Sequence, residues 1–491
     1  MSRRLILSTA AVAMLAAAPA ARAAADPTAS ELLQEVKRLS QRIEELERKR
    51  TAQTDTEARL KALEEDKANL DKSMAAPTIS ADEPEIAARL KAVETESLGY
   101  RQGKKVTDAL GGIKLGAGMT VVGQNMLGQQ LDKEGQLNWR GDLTLTIPGG
   151  SVGTAKGTIF THVRMGQGRG LQAITNSYSA PNATAFQRPG ADSADAAIAL
   201  AEAWYQLDVP LGGGDLKTAK SHVEITAGKM DPFAFFDQNA VANDETRFFL
   251  NQAFVHNPLL DAGGDVGVDA LGFSPGLRLA YVNEESKPLT WRLSGGVFET
   301  GQGAAFQNST DFPFRILQAE TAQRFFGGLE GNYRVYGWQN TRAANYNGRT
   351  AAHVGIGVNI DQKVDDYLTL FGRYGYQIKG SPRFDQSLTL GGELGGSPWG
   401  RGVDGLGLAF GLSHTSAKFR RASASLDVNA DGVPDFGYRA QAFEQIAELY
   451  YRYRVIPRFD LTPDFQVIRH PGGDPTGATA MVLGMRGQLT Y

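Results

Sequence analysis

Arg140, Asp142, Thr144 and Thr146 take every second position of "NWRGDLTLTIP", and Trp139, Leu143, Leu145 and Ile147 take the positions between. The same division recurs in other short stretches. Glu202, Trp204, Gln206 and Asp208 oppose Tyr205, Leu207 and Val209 in "AEAWYQLDVP"; Glu330, Asn332 and Arg334 oppose Leu329, Tyr333 and Val335. Thr369, Arg373 and Gln377 oppose Leu370, Tyr374 and Tyr376, and Glu448, Arg452 and Arg454 oppose Leu449, Tyr451 and Val455. By parity Arg164, Arg278, Asp464 and Arg486 also fall on the polar side, and Trp338 shares it with Trp204. Guanidinium groups offer planar, multiple donors to hydroxyls and carboxylates, and carboxylates accept from hydroxyls. Aromatic faces can stack on the apolar faces of sugar rings. This is chemistry for holding a polar solute, and equally for pairing charges across a cavity.

One segment breaks the alternation. "GKMDPFAFFDQNAVANDETRFFLNQAFVHNPLLDAGG" (228–264) gathers phenylalanines with Asp244, Glu245 and Arg247. A loop this long in a compact protein is usually functional, and inside a cavity it would narrow the passage. A second loop, "DVNADGVPD", spaces Asp427, Asn429, Asp431 and Asp435 around Gly432 as in a calcium loop, with Tyr438 where the closing glutamate would stand. Calcium is the one cofactor the residues suggest; a hydrophilic turn is the alternative. Catalysis finds little support: the six histidines are scattered and no serine sits in a nucleophile-elbow context. His162, His222 and His353 read as ordinary strand residues.

Period-two alternation means β-strands with one apolar and one polar face. About fifteen such segments lie between positions 111 and 491, separated by turns rich in Gly, Asn, Asp and Pro. The last, "GATAMVLGMRGQLTY", ends on Tyr491 with the apolar face. A net charge of −3 leaves no basic footprint for nucleic acid, and the absence of cysteine excludes disulfides and thiolate sites. The 57 glycines follow no collagen period and suit turns and closely packed barrel walls.

The N-terminus has the order of a secretory signal peptide over 1–25: Arg3 and Arg4, an apolar core from Leu5 to Ala18, then small residues. In 26–76, Leu32, Val36, Leu39, Ile43 and Leu46 keep a four-three spacing, the seam of an α-helical coiled coil. Pro77 and Pro84 open a linker with a short helix, 77–110. The exported remainder has no apolar stretch long enough to span as a helix, so it would cross a membrane as strands. Apolar-out, polar-in alternation with aromatic girdles describes an all-β transmembrane protein, an antiparallel outer-membrane β-barrel. Bacterial barrels have even strand numbers, which makes sixteen the expectation, wide enough for an aqueous channel over 111–491. Trp139 and Trp291 have outward parity and read as interface anchors.

"GKMDPFAFFDQNAVANDETRFFLN", "LTPDFQVIRHPGGDP" and the closing "GMRGQLTY" resemble the matching regions of the carbohydrate-selective porin family (OprB-like). The resemblance covers most of 111–491. It implies a sixteen-stranded outer-membrane channel for passive uptake of sugars, with arginines and acids lining the constriction. Arg469 and His470 stand where many members carry a different polar pair, and the coiled-coil extension is not part of the family's basic barrel. The expected solute is a carbohydrate or other small hydrophilic molecule, and the expected surroundings are outer-membrane lipid. Porin analogy favours a homotrimer, with the coiled coil in the periplasm of a Gram-negative bacterium and within reach of the cell wall. Two other readings stay open: an envelope tether built on the coiled coil, and an anion- or phosphate-selective porin.

Overall fold

A computed structural model describes residues 37–39, 41–42, 112–127, 135–173, 176–187, 195–287, 289–308 and 311–491. The chain divides into two units, Met1–Ser73 and Met74–Tyr491. In the first, residues 37–39 and 41–42 are helical and exposed. The signal peptide, the rest of the coiled-coil seam and the linker lie outside the described residues.

Sixteen antiparallel strands make up the second unit: β1 (Lys114–Leu127), β2 (Gly135–Val152), β3 (Ala155–Gln167), β4 (Ala197–Pro210), β5 (Ser221–Met230), β6 (Ser274–Ser286), β7 (Leu289–Phe298) and β8 (Phe314–Phe325). They continue as β9 (Leu329–Ala344), β10 (Thr350–Asp365), β11 (Leu368–Lys379), β12 (Phe384–Gly395), β13 (Gly405–Thr415), β14 (Phe443–Ile456), β15 (Phe459–Arg469) and β16 (Ala480–Thr490). Each strand pairs with its sequence neighbours, and β1 pairs with β16, so the barrel closes. Met119 opposite Leu489 and Val121 opposite Gly487 set the closing register. Tyr491 extends that ladder: its N–H donates to the Ala117 carbonyl at 2.8 Å and its carbonyl accepts the Ala117 N–H at 3.0 Å. Closure leaves no unpaired strand edge, which a lipid-embedded sheet requires.

The two faces carry the reverse of a soluble protein's pattern. Leu279, Leu293, Leu317, Val335, Leu408, Phe410 and Leu483 are exposed outward, whereas Arg140, Arg334, Arg373 and Arg486 are each 1 % exposed. Charged residues are almost never this buried unless paired, and a lipid-facing band explains the exposed leucines. Among the described residues no helix is long and apolar enough to cross a membrane; the strands do the crossing. Trp291, 47 % exposed, keeps its outward position.

The two rims differ. Turns 153–154, 326–328, 366–367 and 457–458 are short, and the opposite rim carries the long connections between β3 and β4, β5 and β6, and β13 and β14. The start of β1 and the end of β16 lie at the short-turn rim. The barrel is not hollow. The 231–273 connection packs Phe236 against Phe298, with ring centroids 6.1 Å apart, and sets Phe249 among Phe254, Phe371 and Tyr450. Glycine makes room on the wall. A Cβ at Gly355 would lie 2.1 Å from Trp338, and one at Gly357 would lie 2.3 Å from Tyr336, so both rings lie flat against β10 only because those positions are glycine.

Candidate functional site

The connection between β5 and β6 crosses the barrel interior and is fastened at five places. Near its start, Asp237 accepts from Arg373 Nε at 3.1 Å, Asn359 Nδ2 at 2.7 Å and the Tyr336 hydroxyl at 2.8 Å through one carboxylate oxygen. Its other oxygen accepts the Asn257 N–H at 2.5 Å. Arg373 also donates to the carbonyls of Phe254 and Ala242, at 2.8 and 2.5 Å. Near the far end of the loop, Asp265 accepts from Trp338 Nε1 and Gln377 Nε2, both at 2.8 Å, and meets His353 Nδ1 at 2.6 Å. On the opposite wall, Glu448 accepts the N–H groups of Leu250 at 2.5 Å and Asn251 at 2.9 Å. Arg486 donates to the carbonyls of Glu245, Arg247 and Phe248 at 2.9, 2.7 and 2.6 Å. Arg140 Nη1 donates to Glu245 Oε1 at 2.5 Å.

In the connection between β3 and β4, the described residues 176–187 turn inward and pack on the first loop. The Ala183 N–H donates to the Leu250 carbonyl at 2.8 Å, and the Gln252 N–H donates to the Ala180 carbonyl at 2.9 Å. Gln124 and Gln466 both donate to the Pro181 carbonyl, at 3.1 and 2.9 Å. The two loops thus form one body seated on β1, β14, β15 and β16.

A chain of charge then runs along the wall of β2 to β4. From Glu245 it passes to Arg140, whose Nε donates to Asp142 Oδ2 at 3.0 Å. Asp142 Oδ1 accepts from Arg164 Nε at 2.7 Å and meets His162 Nε2 at 2.8 Å. His162 Nδ1 meets Glu202 Oε1 at 3.2 Å, and Glu202 Oε2 accepts from Trp204 Nε1 and from the Asp231 N–H, both at 3.2 Å. Asp142, Arg164, Trp204, Asp244, Glu245 and Arg247 are half-buried, unlike the sealed residues beneath the loop. Asp244 caps its own turn, accepting the Thr246 N–H at 3.0 Å, and the Arg247 guanidinium lies 5.3 Å from the Phe248 ring centroid.

Asp231 stands where β5 meets the loop. Burial and then the Glu202 carboxylate push its pKa up to about 6. His256, within the loop, is also raised: burial alone would lower it, but the hydrogen bond and charge of Asp261 outweigh burial, and Asp231 adds to them.

The sequence-predicted residues therefore separate into three groups. Arg140, Arg164, Glu202, Trp204 and Glu245 join in one chain of contacts, with Asp244 and Arg247 beside it on the loop. Arg373, Glu448 and Arg486 face inward, as parity required, but their donors and acceptors hold the loop. Arg278 pairs with Glu224 at 2.8 Å, Arg334 with Asp361 at 2.6 Å, and Asp464 accepts from Gln466 Nε2 at 2.9 Å. Arg452 pairs with Glu393 at 2.9 Å, Arg454 with Asp460 and Glu330 with Arg324; these three lie towards the short-turn rim.

Trp338 corrects a sequence expectation. It is 2 % exposed, sealed under the loop with its N–H on Asp265, and offers no open ring face. Parity alone puts Asp142 on the polar face, whereas His162 reads from the sequence as an ordinary strand residue and Phe160 carries no polar signal, although "TIFTHVR" places Phe160, His162 and Arg164 on one face. In the 427–435 loop, Asp427 accepts the N–H groups of Asp431 and Gly432 at 3.2 and 2.8 Å. Asp431 accepts the N–H of Val433 at 2.8 Å, Asp435 that of Val428 at 2.9 Å, and Asn429 Nδ2 donates to Asp431 at 2.9 Å. Among the described residues no group of three or more His, Asp or Glu side chains is arranged to hold a metal.

The family model of the carbohydrate-selective porins, OprB family, matches residues 152–491. The chain belongs to that porin family. The porin is similar to the high-pH structure of Pseudomonas putida OprB at 18 % identity and a TM-score of 0.63, covering 80 % of this chain and 97 % of that one. The low-pH structure of the same protein gives 15 % identity, a TM-score of 0.46 and coverages of 80 and 97 %. A mutant Rhodopseudomonas blastica porin gives 12 % identity, a TM-score of 0.38 and coverages of 77 and 100 %. No curated protein matches the chain by sequence. A porin is a passive channel, and a sixteen-stranded wall encloses an aqueous lumen unless loops fill it. Here the described parts of two loops pack inside it and leave the half-buried charges of β2 to β4 beside the loop tip.

Proposed function

We propose that this porin carries small hydrophilic solutes, carbohydrates foremost, by passive diffusion across the outer membrane of a Gram-negative bacterium. The observation that carries this reading is the Arg140–Glu245 contact, which joins the wall to the loop tip amid Asp142, Arg164 and Glu202. A sugar presents hydroxyls that both donate and accept, and this lining offers both kinds of partner over a short path. The family match supports the solute class.

The pairing of charges bears on the anion alternative. Arg140 and Arg164 share Asp142, Arg278 has Glu224, Arg334 has Asp361 and Arg452 has Glu393. A phosphate would compete with carboxylates already in place, whereas a neutral polyol need only exchange hydrogen bonds.

The short-turn rim of bacterial barrels faces the periplasm. The N-terminal segment is read from its sequence as periplasmic: 1–25 removed on export and 26–76 a coiled coil within reach of the cell wall. A homotrimer remains the assembly expected by analogy with other porins. A calcium ion on Asp427, Asn429, Asp431 and Asp435 would have to draw these side chains off their backbone partners; terbium luminescence that calcium competes away would support it.

The test of the solute class is swelling of proteoliposomes in iso-osmotic sugar. Swelling in mono- and disaccharides that is absent from empty liposomes supports the reading; vesicles that swell no faster than empty ones refute it.

A further inference from the structure

Below the charged chain, on the short-turn side, lies a row of rings. Phe160 on β3 and Trp204 on β4 are register partners, the next inward pair after His162 and Glu202. Their rings stack with centroids 4.9 Å apart and an interplanar angle of 27°. Trp204 meets Phe235 of the loop edge-on at 5.7 Å. The Arg278 guanidinium lies 4.7 Å from the centroid of Phe235 and ends the row.

Two features separate this row from ordinary packing. The loop seals Trp338 to 2 % exposure, yet Phe160, Trp204 and Phe235 all stay half-buried. Arg278 is only 3 % exposed and forms an ion pair with Glu224 at 2.8 Å, but its Nε and Nη1 have no hydrogen-bond partner. A buried donor without a partner is costly, and a row of rings beside one provides both halves of a sugar site.

Building on the saccharide-porin reading above, we propose that Phe160, Trp204 and Phe235 form a pyranose-binding subsite, with Arg278 and Glu202 as its hydrogen-bonding ends. The apolar C–H face of a six-membered sugar ring packs on the aromatic row. Ring hydroxyls accept from the Arg278 N–H groups and donate to Glu202, whose carboxylate has capacity beyond the contacts it makes. A solute passes from the charged chain, which any polyol can satisfy, to a surface that recognises a rigid ring. The subsite therefore favours cyclic sugars over open-chain polyols bearing the same hydroxyls.

The experiment is single-channel recording in planar bilayers with glucose and with sorbitol as blockers. The channels are the native porin, W204L, W204Y and F160L. The native channel is expected to be blocked more strongly by glucose than by sorbitol. W204L and F160L should weaken glucose association about three- to tenfold, the worth of an aromatic contact, with salt conductance retained. W204Y should recover most of the block. If W204L fails to insert, F160L against W204Y makes the same comparison. Equal block by glucose and sorbitol in the native channel overturns the subsite, as does undiminished glucose block in the leucine variants. A native channel that no sugar blocks, and that passes no sugar into liposomes, instead overturns the saccharide reading on which the subsite rests.

Discussion

Arg140 and Glu245 stand 105 residues apart and meet at 2.5 Å, the wall of β2 joined to the tip of a loop rooted between β5 and β6. Arg140 is 1 % exposed and keeps Asp142 as a second partner.

Removing the loop's carboxylate should change ion selectivity more than stability. Glu245→Gln deletes one negative charge beside the passage while Arg140 retains Asp142. A unit charge a few ångströms from a permeating ion in water is worth about 1 kcal/mol. The anion-to-cation permeability ratio should rise by up to about fivefold. Reversal potentials in a salt gradient measure it; an unchanged ratio would place Glu245 away from the ion path.

Glu448 should act on the loop's position. Glu448→Ala leaves the Leu250 and Asn251 N–H groups without their acceptor, a loss of about 1–3 kcal/mol in loop docking. Glu448→Gln keeps one amide oxygen as acceptor and should lose less. Noisier current and faster proteolytic cutting near 243–251 are the expected signs, ordered alanine above glutamine above native. Identical cutting in all three would show that the loop is held without this side chain.

Asp237 and Arg373 should be coupled. Both are buried, and breaking such a pair by deleting one partner costs about 3–5 kcal/mol, because the other charge stays uncompensated. Asp237→Ala and Arg373→Ala should each lower the unfolding midpoint in urea, and the double variant should lose much less than the sum. Additive losses would mean that the two act separately.

Loop packing should weaken as pH rises. The Asp231 carboxyl is raised from 3.8 to about 6, so ionising it opposes the packed loop. Its contribution is complete below its ordinary value and is lost as pH climbs through about 6. His256 is raised above 6.5, so its contribution is present below that value and is lost as pH rises through its folded value. Both act in the same direction. Channel noise should grow between about pH 5 and 7, and Asp231→Asn should remove the lower part of that rise. A native channel quieter at pH 7 than at pH 5 would contradict this.

The barrel was legible because side chains on a strand alternate, so one residue's parity sets its neighbours'. Arg140, Arg334 and Arg486 could be placed inward on that ground alone. A bulge limits the rule: between His162 and Val163 the partner shifts from Glu202 to Leu200. Ile198 and Leu200 consequently lie outside, 75 and 53 % exposed, with the same parity as buried Glu202.

The destinations of the loop were not legible. Asp237 and Arg373 are 136 residues apart, and no local pattern announces their meeting. Trp338 misled for the same reason, since parity turns it inward but only Asp265, 73 residues away, decides that it is covered. His162 read as an ordinary strand residue, because the two carboxylates that hold it sit on different strands.

The most direct test of the central claim is the conductance of single native channels titrated with glucose and, separately, with phosphate. A lumen in which Arg140, Arg164, Arg278, Arg334 and Arg452 each face a carboxylate predicts concentration-dependent block by the neutral sugar and little by phosphate. Block by phosphate with none by glucose would contradict it.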